Sequence, residues 1–219
     1  MSRSARWTVV VLVVLVALGT AFWMELRDEP APQAGAGQST SRDHRDADTP
    51  EALAGPRARA DLAPCLGEDK GAGAAPGSGP LRGITLDCVG DGKPVDVASA
   101  LAGRTVVLNL WAYWCGPCAD ELPAMAEYQR RVGDDVLVVT VHQDENETAA
   151  LVRLAELGVH LPTLQDGRRL VAAALKVPNV MPATVVLRAD GSVAGTLPRS
   201  FVSADEIAAA VDEKIRSSR

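Results

Sequence analysis

The alternation of apolar and polar positions sets out the compact part of the chain. Ile84, Leu86 and Cys88 alternate with Thr85, Asp87 and Val89, the period of two expected of a half-buried strand. Asp91-Gly92 then turns the chain toward Val95 and Val97. Val106 to Trp111 and Val136 to Val141 are nearly continuous apolar runs rich in valine, as suits central strands buried on both faces. Between them the pattern predicts a helix from about Cys115 to Val132. Pro123 inside it removes one backbone hydrogen bond and is expected to kink it. A second helix is predicted over Asn146 to Leu157, ending at Gly158, and a shorter one around Arg168 to Leu175. Ala183 to Arg188 and Ser192 to Leu197 flank Asp190-Gly191, an antiparallel hairpin signature. Ser203-Ala204-Asp205-Glu206 reads as a capping box. It opens a last helix with Ile207, Val211 and Ile215 on one face. The expected class is α/β, a central mixed β-sheet with helices on both faces, over residues 80–219.

The residues before 80 read differently. Trp7 to Met24 is an uncharged, almost wholly apolar run of 18 residues preceded by Arg3 and Arg6. At ~1.5 Å rise per residue it nearly matches a hydrocarbon core of roughly 30 Å. Residues 1–26 are therefore read as a signal-anchor, with a cleaved signal peptide as the alternative, since Ala17-Leu18-Gly19 and Gly19-Thr20-Ala21 are small enough to be cut. The positive residues outweigh Arg27, which places the remainder outside the cytoplasm: membrane-bound by a single pass, or secreted after cleavage. Residues 27–79 are rich in Pro, Gly, Ala and charge, with few large apolar side chains. They are expected to form a flexible tether with a reach of roughly 40 Å. The net charge of −6 offers no basic stripe, so nucleic-acid binding has no electrostatic support.

Chemistry concentrates at Trp114-Cys115-Gly116-Pro117-Cys118. A Cys-x-x-Cys that follows a strand and opens a helix reads as a thiol–disulfide redox site. Cys115, at the helix start, is expected to be the nucleophile, because free backbone N–H groups and the positive dipole end favour a thiolate. Lowering a thiol pKa from ~8.5 to ~7 raises the thiolate fraction at pH 7 about sixteen-fold but gives back about five-fold in nucleophilicity. Low pKa therefore mainly sets the redox equilibrium. Cys118, one turn further in, is the resolving thiol. The two remaining cysteines, Cys65 and Cys88, are expected to bridge in an oxidising compartment. No metal or other cofactor is expected beyond the redox-active Cys115–Cys118 pair. Ala119 stands where covalent haem attachment would need histidine. His44, His142 and His160 are read as solvated or structural, with His142 in a loop.

The order of elements, Trp-Cys-Gly-Pro-Cys, the mid-helix Pro123 and Met181-Pro182-Ala183-Thr184 before the hairpin together resemble a thioredoxin-like fold. The apolar N-terminus, the extra N-terminal β-hairpin and the βα insertion carrying the helix at Asn146 to Leu157 narrow the resemblance to membrane-anchored TlpA/ResA-type thiol–disulfide oxidoreductases. It covers roughly residues 80–216. It implies a cis bond at Met181–Pro182, a loop beside Cys115 that pairs with extended substrate, and Trp114 flanking the exposed sulfur. The buried acid that cytoplasmic thioredoxins carry six residues before the first active cysteine is here Asn109. Glu121 is read as an exposed helix-surface carboxylate rather than as a base acting on Cys118 through water.

The resulting expectation is an extracytoplasmic disulfide reductase acting on exported client proteins, in cytochrome c maturation or a similar task. It would be recharged by a membrane electron-donor protein. A disulfide-forming oxidase, served by a re-oxidant, and a copper-site chaperone with the two thiolates as soft ligands are the alternatives.

Overall fold

A computed structural model describes residues 48–65 and 79–217; the expected anchor over residues 1–26, His44, and residues 27–47 and 66–78 of the expected tether lie outside them. Among the described residues, seven strands form one sheet: β1 (Thr85–Cys88), β2 (Pro94–Asp96), β3 (Thr105–Trp111), β4 (Val136–His142), β5 (Thr163–Gln165), β6 (Ala183–Leu187) and β7 (Val193–Leu197). Their order is β2-β1-β5-β4-β3-β6-β7. The β3–β4 and β4–β5 pairs are parallel and the other four antiparallel. The sheet is therefore mixed, with its parallel part at the centre.

Two apolar layers cover it. Val107 and Trp111 of β3, Val138 of β4 and Val186 of β6 face Leu122 and Met125 of helix α3 (Gly116–Val132) and Ile207 and Val211 of helix α6 (Ala204–Ser217). Val106, Leu108 and Leu110 point the other way, with Val139 and Val185, onto α2 (Val97–Leu101) and α5 (Leu170–Ala174). The period of two divides each central strand between two cores, so these strands read as unbroken apolar runs. Helix α4 (Glu147–Leu157) ends at Gly158, whose φ of +62° gives the left-handed cap that glycine adopts freely. Val97, expected to extend the first hairpin, instead opens α2, because the Asp96 carboxylate accepts from the Ser99 N–H at 2.8 Å and caps a helix there. Strand β5 was not anticipated. Three residues between Pro162 and Asp166 offer too little pattern to recognise.

The expected flexible tether fails over residues 48–65. Pro50–Ala60 is a helix, α1, with Thr49 as its N-cap. Leu53 and Ala60 are buried against Val89 and Leu151. Around that small contact lie long-range polar ties. Arg57 meets the Glu147 carboxylate at 2.9 Å and donates to Val89 O at 3.1 Å. Asp48 accepts from the Glu147 and Thr148 N–H groups, capping α4 from outside. His160 bonds through Nδ1 to Ala60 O at 2.9 Å. Such contacts are specified by distant partners, so local composition does not reveal them.

A disulfide joins Cys65 to Cys88, with Cα atoms 5.7 Å apart across 23 residues of sequence. It fastens the end of this arm to β1. Replacing both cysteines by serine is expected to lower stability by about 3 kcal/mol, from the loop entropy returned to the unfolded chain. The melting temperature should fall by roughly 10 °C, with thiol exchange at Cys115 retained. Thermal unfolding of the double variant checks this.

Candidate active site

Strand β3, central in the sheet, ends at Trp111, and the chain then turns through Ala112, Tyr113 and Trp114 into α3. Cys115 is the N-cap of that helix, held by its own N–H on Ala112 O at 3.0 Å. Its sulfur accepts the Cys118 N–H at 3.3 Å, so a helix-start donor already points at the atom that would carry thiolate charge. Cys115 and Cys118 are joined as a disulfide, the oxidised form of a dithiol site. Cys118 is wholly buried and Cys115 is 6% exposed, an asymmetry that leaves Cys115 as the residue of the pair with any surface open to a partner.

Gly116 and Pro117 form the first helical positions, both exposed. A Cβ on Gly116 would meet nothing within 4 Å, so packing does not require glycine there. Pro117 at N2 gives up an N–H that a helix start leaves unpaired anyway. Trp114 is 60% exposed, and its indole N–H donates to Asp144 Oδ2 at 2.9 Å. The ring is thus fixed at its polar edge while its apolar face stays open beside Cys115. Met181–Pro182 is a cis peptide bond. Leu110 pairs with Ala183 across the β3–β6 ladder, which sets Pro182 opposite the end of the strand that delivers the cysteines. Met181 packs against the same cluster as Cys115 and Cys118.

Glu121 overturns the expectation of an exposed carboxylate. It is fully buried, one turn beyond Cys118 on the same inner face of α3. Asn109 Nδ2 donates to Glu121 Oε2 at 2.7 Å, and the Phe201 N–H donates to Oε1 at 3.2 Å. Burial pushes its pKa up to about 7, against the opposing pull of those two donors and of Arg199. Asn109 therefore does not replace the missing acid; it holds one that comes from the helix instead of the strand. The amide oxygen of Asn109, Oδ1, is buried without a partner among the described residues. With the amide turned over, that oxygen faces Glu121 and accepts from a protonated carboxyl, so the pair accommodates either protonation state.

His142, expected in a loop, is the buried last residue of β4. Its Nε2 accepts the Tyr113 N–H at 3.4 Å, so the ring proton sits on Nδ1, donated to Gln165 Oε1 at 2.9 Å. Burial lowers its pKa, and the neutral ring supports the loop carrying Trp114. Among the described residues, no group of three or more His, Cys, Asp or Glu side chains is placed to hold a metal ion.

A mixed sheet between helices, a dithiol pair at the start of a central helix and a cis-proline loop beside it define a protein of the thioredoxin-like class. The sequence model of the Redoxin family matches residues 74–206, and the chain belongs to that family, with relatives of the TlpA/ResA type. It is 32% identical over 117 residues to the thiol–disulfide oxidoreductase ResA of Bacillus subtilis (strain 168), an alignment covering 51% of this chain and 64% of that protein. The chain thus spans somewhat less than two thirds of that relative's length. Among solved structures, a secreted Mycobacterium tuberculosis disulfide oxidoreductase described as homologous to E. coli DsbE superposes with a TM-score of 0.52 at 24% identity, over 61% of this chain and 96% of that one. A DsbF homologue from Corynebacterium diphtheriae gives 0.53 at 24% identity, over 69% and 99%. These likenesses concern the fold.

Proposed function

We propose that the protein is a thiol–disulfide oxidoreductase that reduces disulfides in exported client proteins on the outer side of a membrane. The observation that carries this reading is the Cys115–Cys118 pair at the N-terminus of α3, with the buried Glu121 one turn behind it. In the reduced protein, the Cys115 thiolate attacks one sulfur of a client disulfide. A mixed disulfide forms, and the other client sulfur leaves as a thiolate that takes up a proton. Cys118 then gives its proton to Glu121 and attacks Cys115. The second client sulfur leaves as a thiolate that takes up a proton, Glu121 returns its proton to solvent, and the Cys115–Cys118 disulfide remains. Two electrons have passed to the client, and a dithiol donor must return them before the next turnover.

The apolar run from Trp7 to Met24 supports attachment to a membrane, where such a donor protein would reside, and Arg3 and Arg6 before it support an extracytoplasmic catalytic domain. Gly-Pro between the cysteines resembles reducing thioredoxins and supports the reductase direction; cytochrome c maturation is a task of that kind. Equilibration with a dithiol redox buffer tests this. A potential of about −250 mV is expected of a reductase, whereas about −120 mV marks a disulfide-forming oxidase. Tight Cu(I) uptake by the reduced protein would instead favour a copper-site chaperone.

A further inference from the structure

The strands that deliver the cysteines and the loop that delivers the cis proline are tied together by a polar chain that the exchange chemistry itself does not use. It begins at the end of β3, where Trp111 O accepts the Gln143 N–H at 2.8 Å. The Gln143 side chain donates through Nε2 to Asp166 Oδ2 at 3.0 Å. Asp166 is almost wholly buried and also accepts from the Leu170 and Val171 N–H groups, at 2.8 and 2.9 Å. Its carboxylate thus fixes the turn that follows β5. Arg169 stands in that turn. Its Nε donates to Gln143 Oε1 at 3.3 Å, and its Nη1 donates to Asn179 Oδ1 at 2.6 Å. Asn179 lies two residues before Met181, in a segment whose residues 178–180 are exposed.

The backbone of Arg169 shows that this reach is imposed. Its φ of +56° and ψ of +36° lie in the left-handed region, which side chains other than glycine and asparagine seldom occupy. Glycine would take that conformation without penalty, yet a long cationic side chain stands there. A strained residue persists where its surroundings over-determine it, and here the determinants are the Asp166 O that accepts its N–H at 2.9 Å and the two side-chain bonds. The Pro178–Val180 segment is otherwise held locally by one tight turn, Val180 N–H to Pro178 O at 2.8 Å.

We propose that Arg169 is a positioning residue for client recognition: anchored on Gln143 and Asp166, it holds Asn179 so that the loop ending in cis Met181–Pro182 presents one fixed edge to an extended client segment. This rests on the thiol-exchange reading and adds to it which side chain governs the fit of a polypeptide substrate. Small disulfides need only reach the Cys115 sulfur. A polypeptide must also lie along the loop, so loosening that edge weakens binding of protein substrates selectively.

The test compares the wild-type protein with Arg169→Gly, Asn179→Ala and the double variant. Insulin serves as the polypeptide disulfide and 5,5′-dithiobis(2-nitrobenzoate) as the small one. Arg169→Gly removes the guanidinium while relieving the backbone, so lost activity does not trace to an unfavourable φ. Each single variant should lose about tenfold in kcat/KM toward insulin, through KM, and less than twofold toward the small disulfide. The double variant should be no worse than the singles, because both changes cut the same bond. Wild-type rates on insulin in both single variants, or equal losses on the two substrates, overturn the proposal. No exchange by the wild-type protein on either substrate overturns instead the oxidoreductase reading on which it stands.

Discussion

Cys115→Ser is expected to lower disulfide exchange by about three orders of magnitude, because a hydroxyl neither ionises near neutral pH nor attacks a disulfide sulfur at a useful rate. Cys118→Ala should fail differently. Cys115 can still attack, but nothing resolves the mixed disulfide, so client protein accumulates covalently on Cys115 and is released by added dithiol. The structure gives the reason for the asymmetry: the Cys115 sulfur sits at the N-cap and accepts the Cys118 N–H, while Cys118 is sealed inside the cluster of Leu122, Met125 and Phe201. Non-reducing electrophoresis and intact mass of the Cys118→Ala protein after incubation with oxidised client check this. A Cys118→Ala protein that turns over insulin like the wild type, or a Cys115→Ser protein that retains exchange, would remove the two-cysteine mechanism.

The central strands were legible as unbroken apolar runs, and the large helices because each follows one strong periodicity. Val106 to Trp111 and Val136 to Val141 belong to strands, Asn146 caps α4, and Ser203 Oγ accepts the Glu206 N–H at the start of α6. The candidate site cysteines were legible from their spacing together with the strand before them, the helix they open and the adjacent Trp114. Glu121 was not recognised, although the signal lay in the sequence. Cys118, Glu121, Leu122 and Met125 fall at i, i+3, i+4 and i+7, the buried stripe of an amphipathic helix, and a carboxylate within such a stripe must lie inside. Treating charge as a mark of exposure hid it. Helix α1 was missed for the opposite reason. Thr49-Pro50-Glu51 is a helix-start signature, and the Thr49 side chain does accept the Ala52 N–H at 3.2 Å. The helix behind it has almost no apolar face, and its place depends on Glu147, Val89, His160 and the Cys65–Cys88 bridge. Gln143, Asp166, Arg169 and Asn179 could not be grouped from sequence, since they meet only once β4, β5 and the loop before β6 are assembled.

Glu121→Gln is expected to flatten the pH dependence of stability and to slow turnover. In the unfolded chain the carboxyl ionises near 4.5, whereas in the folded protein burial holds its proton up to about 7. Between those values the native state binds more protons than the unfolded one, so stability falls as pH rises through the window. Above pH 7 the full cost remains, about 3 kcal/mol for a shift of this size. Glutamine carries no charge to desolvate, and its amide offers Asn109 Oδ1, otherwise unpaired, a donor. Measured on the disulfide form, where no thiol titrates at the site, the variant should lose this slope and exceed the wild type in stability above pH 7. On the proposed mechanism, the same substitution removes the group that takes the Cys118 proton. Resolution of the mixed disulfide at pH 7 should slow by about a hundredfold, the usual scale for losing a positioned base, and recover toward alkaline pH as the thiol ionises unaided. The two effects have opposite signs, more stable yet slower, and a general packing defect cannot produce that combination. Denaturant unfolding from pH 4 to 9, set beside the pH–rate profile of both proteins, decides it: parallel stability curves would mean that Glu121 is ionised throughout, and unchanged resolution would mean that Cys118 loses its proton by another route.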